Sequence, residues 1–416
     1  MRRTRPCPPI NPDTLVIGID IAKETHVAVA LAADGRSAKP HRFSPTRSGF
    51  ESLVHYARDS VKRLGATGFV VAMEPTGHYA ETLVRWLAEK AVPTYSVQPL
   101  HTNRAKTLLD GSSRKTDPKD AEVVAMLCRQ GLARPYRVPT GPFAVLRVAS
   151  HQRQQLVKRR CQVVNRLHRH VDVVFPELRG LFSKIESRTS LWVLRTMPAP
   201  TDVLAWTLED LSEALHKASR GQLGTERAQQ LVDAASSSVG VTEALAAHRL
   251  AIRQLLVELE RVLGQLAEVE GQMEAALAQV PYAALLRSIP RLGKVTTATL
   301  LGEFGDFRNF KVAKQLISMA GLSLVESSSG QHQGHHHIGR NGRAYARQIL
   351  YLAALRVGWG FLAEPRRRKV EDRKGSATKA AVANMARLLR VMHAIVRDSR
   401  PFDSARFTPT TEPLAA

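Results

Sequence analysis

Apolar residues along this chain change their spacing more than once, and each change predicts a different kind of element. "LVIGIDIAKETHVAVAL" (15–31) is dense in Val, Ile and Leu, and Asp20 interrupts it near the end of its first half. Short apolar runs of this kind predict two strands of a hairpin. "FVVAMEP" (69–75) predicts a further strand that ends in Glu74, and "PTYSVQP" (93–99) predicts another. Between them, "YAETLVRWLAEKA" (79–91) places Leu83, Trp86 and Leu87 at helical spacing. "DPKDAEVVAMLCRQG" opens on Asp117 and Pro118, sets Val123, Val124 and Leu127 on one face and stops at Gly131, which predicts a helix. Strands alternating with helices predict an α/β domain over 14–145, behind a Pro-rich lead-in at 1–13.

Beyond that domain the pattern becomes helical throughout. "HQRQQLVKRRCQVVNRLHRHV" (151–171) predicts one helix with six basic residues, Arg153, Lys158, Arg159, Arg160, Arg166 and Arg169. From Leu245 a heptad runs through Ile252, Leu259, Leu266, Met273 and Val280, with Leu255, Val262, Val269 and Ala276 at the partner positions. That repeat predicts a coiled-coil seam over about 245–280 within a helical linker (146–284), and from it a dimer or higher assembly. Residues 176–243 are helical in composition but carry no clear pattern. "LLRSIPRLGKVTTATLLGEFGDF" opens a small mainly helical domain over 285–375, followed by a basic helix and tail at 376–416.

Composition adds the partner. The 416 residues carry a formal net charge of +23, while the apolar fraction of 44% is that of an ordinary globular chain. So large an excess of one sign favours a polyanion, nucleic acid before an anionic membrane. No run of apolar residues is long enough to span a bilayer, and the basic N-terminus has no apolar segment behind it. Cys7, Cys128 and Cys161 are few and far apart, which excludes a disulfide framework and predicts a reducing, cytoplasmic setting.

Against this basic background the carboxylates stand out. Asp117 and Asp120 share one side of a first helical turn. By itself the pair is ordinary helix-start chemistry, a cap and a dipole-favoured acid. Asp20 and Glu74, however, end apolar strands, where a carboxylate is costly unless it is paired or binds metal. These three acidic sites, Asp20, Glu74 and the Asp117–Asp120 pair, could converge to hold Mg²⁺, which takes a few carboxylates together with phosphate oxygens and water. Glu24, Glu122 and His26 read as ordinary solvated or packing residues.

"GIDIAKETHVAVAL", "MEPTGHYAETLVRWLAEKAVPTYSVQP" and "KTDPKDAEVVAMLCRQG" together resemble the RuvC-like domain of the DEDD transposases of insertion sequences, a family that includes the Piv and MooV DNA invertases. The resemblance implies an RNase H-like fold for 14–145 and a catalytic, metal-holding tetrad of Asp20, Glu74, Asp117 and Asp120. It implies two Mg²⁺ ions, with Mn²⁺ as a substitute. "AGLSLVESSSGQHQGHHHIGRNGRAYARQILYLAA" (320–354) resembles the C-terminal domain of the same family. By that alignment the nucleophilic serine falls on Ser329, with Ser327 and Ser328 as neighbours. Leu324 stands where the family has proline, and Gly339–Arg340 replaces its Ser–Lys.

Membership would imply a DNA transposase that cleaves and exchanges strands through a covalent phosphoserine. It would act on element-end and target DNA as a dimer or tetramer, guided by a noncoding RNA. Candidate nucleic-acid contacts are the six basic residues of 151–171, with Lys294, His335, Arg340, Arg343 and Arg347. "IPRLGKVTT" (289–297) resembles the phosphate-gripping turn of a helix-hairpin-helix, with Arg291 at its first glycine position. Two rivals remain: a hydrolytic RuvC-like nuclease or junction resolvase that uses the same acids without Ser329, and a non-catalytic nucleic-acid-binding protein.

Overall fold

The computed structural model describes residues 10–75, 77–110, 117–136, 138–326, 336–339, 341–361 and 377–404. They divide into two units, with the boundary between Val138 and Pro139.

The first unit is built on a six-stranded sheet. In chain order its elements are β1 (Thr14–Asp20), β2 (His26–Leu31), β3 (His41–Phe43), α1 (Arg47–Leu64), β4 (Gly68–Met73), α2 (Ala80–Glu89), β5 (Thr94–Val97), α3 (Pro99–Asp110), α4 (Asp117–Arg129) and β6 (Ala133–Pro135). The strand order is β3-β2-β1-β4-β5-β6. β1 runs parallel to β4 and β4 to β5, whereas the β1–β2, β2–β3 and β5–β6 pairs are antiparallel. This arrangement is consistent with the RNase H-like expectation.

The expected hairpin, the strands ending near Glu74 and Gln98, and the helices at 79–91 and from Asp117 are all present. The sheet also holds β3 and β6, and α1 and α3 flank it, elements for which the sequence set no expectation. β3 and β6 are three residues each, too short to show alternation. α1 is opened by Thr46, whose hydroxyl accepts from the Gly49 N–H, and closed by Gly65 at φ +71°.

Alternation along β1 sorts its side chains onto two layers. Leu15, Ile17 and Ile19 pack with Phe50 and Leu53 of α1 and with Leu83 and Leu87 of α2. Val16 packs on the opposite face with Val70 and Ala72 of β4 and Val123, Val124 and Leu127 of α4. Gly18 lies on this second face. A Cβ there would stand 2.0 Å from the Ala121 carbonyl oxygen, so only glycine lets α4 approach β1 so closely.

Among its described residues, the second unit is helical apart from one short antiparallel strand pair. α5 (Pro142–Val174) is followed by α6 (Leu178–Leu181), α7 (Arg188–Thr196), α8 (Pro200–Val203), α9 (Leu208–Ser219), α10 (Thr225–Ser236) and α11 (Leu245–Ala278). Then come α12 (Ala283–Arg287), α13 (Lys294–Phe304), α14 (Ala313–Met319), β7 (Leu324–Glu326), β8 (His336–Ile338), α15 (Ala344–Phe361) and α16 (Ala377–Asp398). The basic helix is longer than its sequence expectation, because Pro142 opens it nine residues earlier.

α5 and α11 lie antiparallel. Phe143, Leu146 and Ala149 cluster with Met273, Ala276 and Leu277, Leu156 with Val262 and Leu266, and Val163 and Leu167 with Ile252, Leu255 and Leu259. The heptad seam is therefore buried inside one chain. The repeat had pointed to a second copy, but α5 already supplies the facing helix, so the seam gives no ground for one. Helices α6–α10 close over the α5–α11 turn end through Phe175, Leu178, Val193, Leu211 and Leu231. This cluster spans the stretch that had no legible pattern.

Candidate active site

Strand register brings the first two acids together. Ile19 of β1 pairs with Met73 of the parallel β4, so Asp20 and Glu74 leave the same edge of the sheet side by side. Period-two alternation puts both on the face of Val16, Gly18, Val70 and Ala72, which is the face that α4 covers. α4 runs antiparallel to β1. Its last residue, Arg129, donates to the Thr14 carbonyl at 2.7 Å and to the Leu31 carbonyl at 2.9 Å, at the start of β1. Its first turn therefore lies at the opposite, carboxyl end of β1, with Asp117 and Asp120 on it. Ligands in α/β sheets sit at this carboxyl edge.

The four environments differ. Asp20 and Glu74 are half-buried and Asp117 is exposed, whereas Asp120 is only 4% accessible. The fully buried Thr102 of α3 donates its hydroxyl to Glu74 Oε2 and fixes that carboxylate's rotamer. Arg42 of β3 stands 3.7 Å from Asp117 in an exposed ion pair. Neither Thr102 nor Arg42 was singled out from sequence. Thr102 lies in a weakly amphipathic helix and Arg42 in a three-residue strand, and no motif marks either.

As donors, four carboxylates suit a hard divalent cation. In arrangement, they converge on one edge without closing: among the described residues no three His, Cys, Asp or Glu side chains are close enough to hold a metal ion. His26, read as a packing residue, is buried against the edge of Phe43. Its Nδ1 accepts from the Ala22 N–H, and burial pushes its pKa down.

In the second unit, Ser327, Ser328, Ser329, His335 and Arg340 lie outside the described residues. The strands β7 and β8, paired from Leu324↔Ile338 to Glu326↔His336, flank the serine segment. Of the six basic residues on α5, Arg153 pairs with Glu270 at 2.6 Å and Arg160 with Glu186 at 2.7 Å. Arg159 and Arg166 both reach Glu258, at 3.0 and 3.6 Å. Lys158 and Arg169 are exposed. Lys294 pairs with Glu274, Arg347 donates to the Ala320 carbonyl at 3.0 Å, and the Arg343 N–H donates to the Met319 carbonyl.

One acid the sequence reading passed over is Glu303 of α13, 2% accessible and bonded to His151 Nε2 at 2.7 Å. Burial raises its pKa, but the His151 hydrogen bond and the charges of Arg147 and Arg343 outweigh burial and hold it below the ordinary carboxylate value. The lone acid in "TATLLGEF" was the available signal. The preceding Gly302 lets α13 approach α5, since a Cβ there would stand 2.6 Å from the Leu146 carbonyl.

A DEDD transposase profile of the IS110 type matches residues 17–176, and a profile described as "Transposase IS116/IS110/IS902 family" matches 283–364. The chain belongs to this transposase family. Two similar proteins align over nearly the whole length, and a third over a shorter stretch only. The insertion element IS116 uncharacterized 44.8 kDa protein of Streptomyces clavuligerus is 25% identical, covering 94% of this chain and 97% of its own. The mini-circle putative transposase for IS117 of Streptomyces coelicolor is 26% identical, covering 97% of this chain and 99% of its own. The pilin gene-inverting protein of Moraxella bovis is 36% identical over 124 residues, 29% of this chain and 38% of its own. No described helix of this transposase is long and apolar enough to cross a membrane.

Proposed function

We propose that this transposase cleaves and exchanges DNA strands in a divalent-metal-dependent reaction through a covalent phosphoserine at Ser329. The observation that carries the reading is the convergence of Asp20, Glu74, Asp117 and Asp120 on one edge and one face of the sheet, in a chain whose family is a transposase family. Mg²⁺, as two ions or replaced by Mn²⁺, would be held by those four acids. When bound it would lower the charge on the phosphodiester and acidify the attacking hydroxyl.

The chain's own residues would do the rest. Thr102 orients Glu74, and α4 sets Asp117 and Asp120 above Asp20. The Ser329 hydroxyl attacks phosphorus, an Oγ–P bond forms and the bond to one sugar oxygen breaks. The serine proton leaves to a carboxylate or solvent, and the released sugar oxygen takes up a proton. The sugar hydroxyl of a second strand then reverses the step, restoring the serine and joining new ends. No external energy source is required, because one phosphodiester is conserved throughout. Element-end and target DNA are the substrates, a noncoding guide RNA pairs them, and a dimer or tetramer holds the ends. Lys158 and Arg169, with His335, Arg340 and Arg343, are nucleic-acid contacts in this reading.

The test is covalent trapping. Protein, Mg²⁺, the element's end DNA and RNA transcribed from the flanking noncoding region are incubated and resolved under denaturing conditions. A protein–DNA adduct is expected, lost in both Ser329→Ala and Asp117→Ala. Cleavage without an adduct, unchanged in Ser329→Ala, would replace the proposal with a hydrolytic nuclease.

A further inference from the structure

One side of α5 carries a groove of about 710 Å³ that the acid site does not include. Lys158, Arg159 and Arg166 line it together with three amides, Gln155, Gln162 and Asn165. These positions recur every three or four residues, so they form one stripe along the helix. All six are exposed, while Leu156 and Val163 between them, and Leu167 just beyond, are buried against α11. From Lys158 to Arg166 the stripe rises about 12 Å.

The acid on its floor organises the groove. Glu258 of α11 accepts from Arg159 through both Nε, at 3.1 Å, and Nη2, at 3.0 Å. Its second oxygen faces Arg166 Nη1 at 3.6 Å. One carboxylate thus holds two guanidinium groups seven residues apart and neutralises only one of them. With Lys158 the groove keeps a net positive charge. A guanidinium has five N–H donors, so Arg159 retains three after binding Glu258. The two other arginines with close partners are held differently. Arg153 and Arg160 have acids of their own, Glu270 and Glu186, in pairs that brace α5.

We propose that this groove seats the sugar–phosphate backbone of duplex DNA, with Glu258 as the positioning residue that fans Arg159 and Arg166 toward it. The proposal rests on the transposase reading for its choice of DNA. The fit itself is chemical. Fixed cations alternating with amide donors match a row of phosphates, and 12 Å of duplex axis presents roughly three or four phosphates per strand. The contact carries no base readout, so it holds any sequence and responds steeply to salt.

The test is equilibrium binding of the full chain to a random-sequence DNA duplex across a salt series, followed by fluorescence anisotropy. Each phosphate contact contributes about one to the slope of log K against log salt. The Lys158→Ala/Arg166→Ala variant should lower that slope by about two and weaken binding at least tenfold at low salt. Gln162→Glu breaks no contact of the fold and places an anion in the groove, and it should weaken binding several-fold. Arg195→Ala, which removes an exposed arginine paired with Glu260 elsewhere on the unit, should leave the slope unchanged. Thermal melts of each variant separate misfolding from lost contact.

An unchanged slope in both groove variants would overturn the proposal. So would a slope that falls only for a matched RNA duplex, which would make RNA the occupant. The measurement involves no cleavage. A groove that fails while the covalent trap succeeds leaves the transposase reading standing, and the converse leaves the groove standing.

Discussion

At the scale of single residues, Gly18 sets how closely the helix that carries Asp117 and Asp120 approaches β1. Its α hydrogen faces the Ala121 carbonyl, one residue from Asp120 and two from Asp20. Gly18→Ala would drive a methyl group into backbone, which cannot rotate away as a side chain can. α4 would have to move outward, carrying Asp117 and Asp120 with it. Overpacking of this kind costs about 3 kcal/mol. The expected outcome is a lowered urea midpoint at unchanged m, together with loss of the covalent adduct even where the variant remains folded. An adduct at wild-type yield would separate the α4–β1 contact from catalysis. As candidates, Asp20 and Glu74 were legible from their place at strand ends, and Asp117 and Asp120 by resemblance. Thr102 and Arg42 were not, because they act on the acids only across the fold, from α3 and β3.

At the scale of elements, what the sequence made legible depended on length and regularity. α11 read clearly because six apolar positions recur at seven-residue intervals. The same repeat misled about its partner, since periodicity fixes which face is buried but not what covers it. The cover is α5, whose apolar positions are diluted by charge, so its long basic face read as a ligand surface. Part of that face is ionic bracing, Arg153 to Glu270 of α11 and Arg160 to Glu186 of the α6–α7 segment. Helices α6–α10 are short and bury a few residues each, too few to show a period.

The α5–α13 contact carries its own prediction, through Glu303. Its folded pKa is depressed, so its contribution to stability is fully present above the unfolded value of about 4.3. That contribution is lost as pH falls through the lower folded value. Glu303→Gln should therefore cost about 1–3 kcal/mol at neutral pH. In chemical denaturation at a series of pH values, the gap from wild type should close below pH 4. A gap that stays constant into acid would mean that His151, Arg147 and Arg343 do not respond to the Glu303 charge.

At the scale of the whole molecule, the proposed chemistry is divided. The acids lie in the unit ending at Val138, and the serine segment lies in the unit beginning at Pro139. The net charge of +23 is not spread as free cations. Arg153 and Arg160 on α5 each have an acid of their own, whereas Arg159 and Arg166 share Glu258 beside Lys158, which leaves that stripe a net positive charge. Formal charge suggested the class of partner, and the pairing pattern supplies the surface proposed for it.

The in-chain burial of the heptad seam also sets how this protein comes into being. A seam that joined two copies would make folding of the middle helices second order, so that dilute chains stayed open and exposed Ile252, Leu255 and Leu259 to proteases. Closed on α5, the seam needs no second chain, so folding of this helix pair should be first order in protein. In the absence of DNA, which the proposed assembly holds, its thermal midpoint should be the same at nanomolar and micromolar protein, measured by differential scanning fluorimetry, and a midpoint rising with concentration would contradict this. A single transcript could then yield a stable chain, and scarcity would limit synapsis without destroying the protein that waits for it.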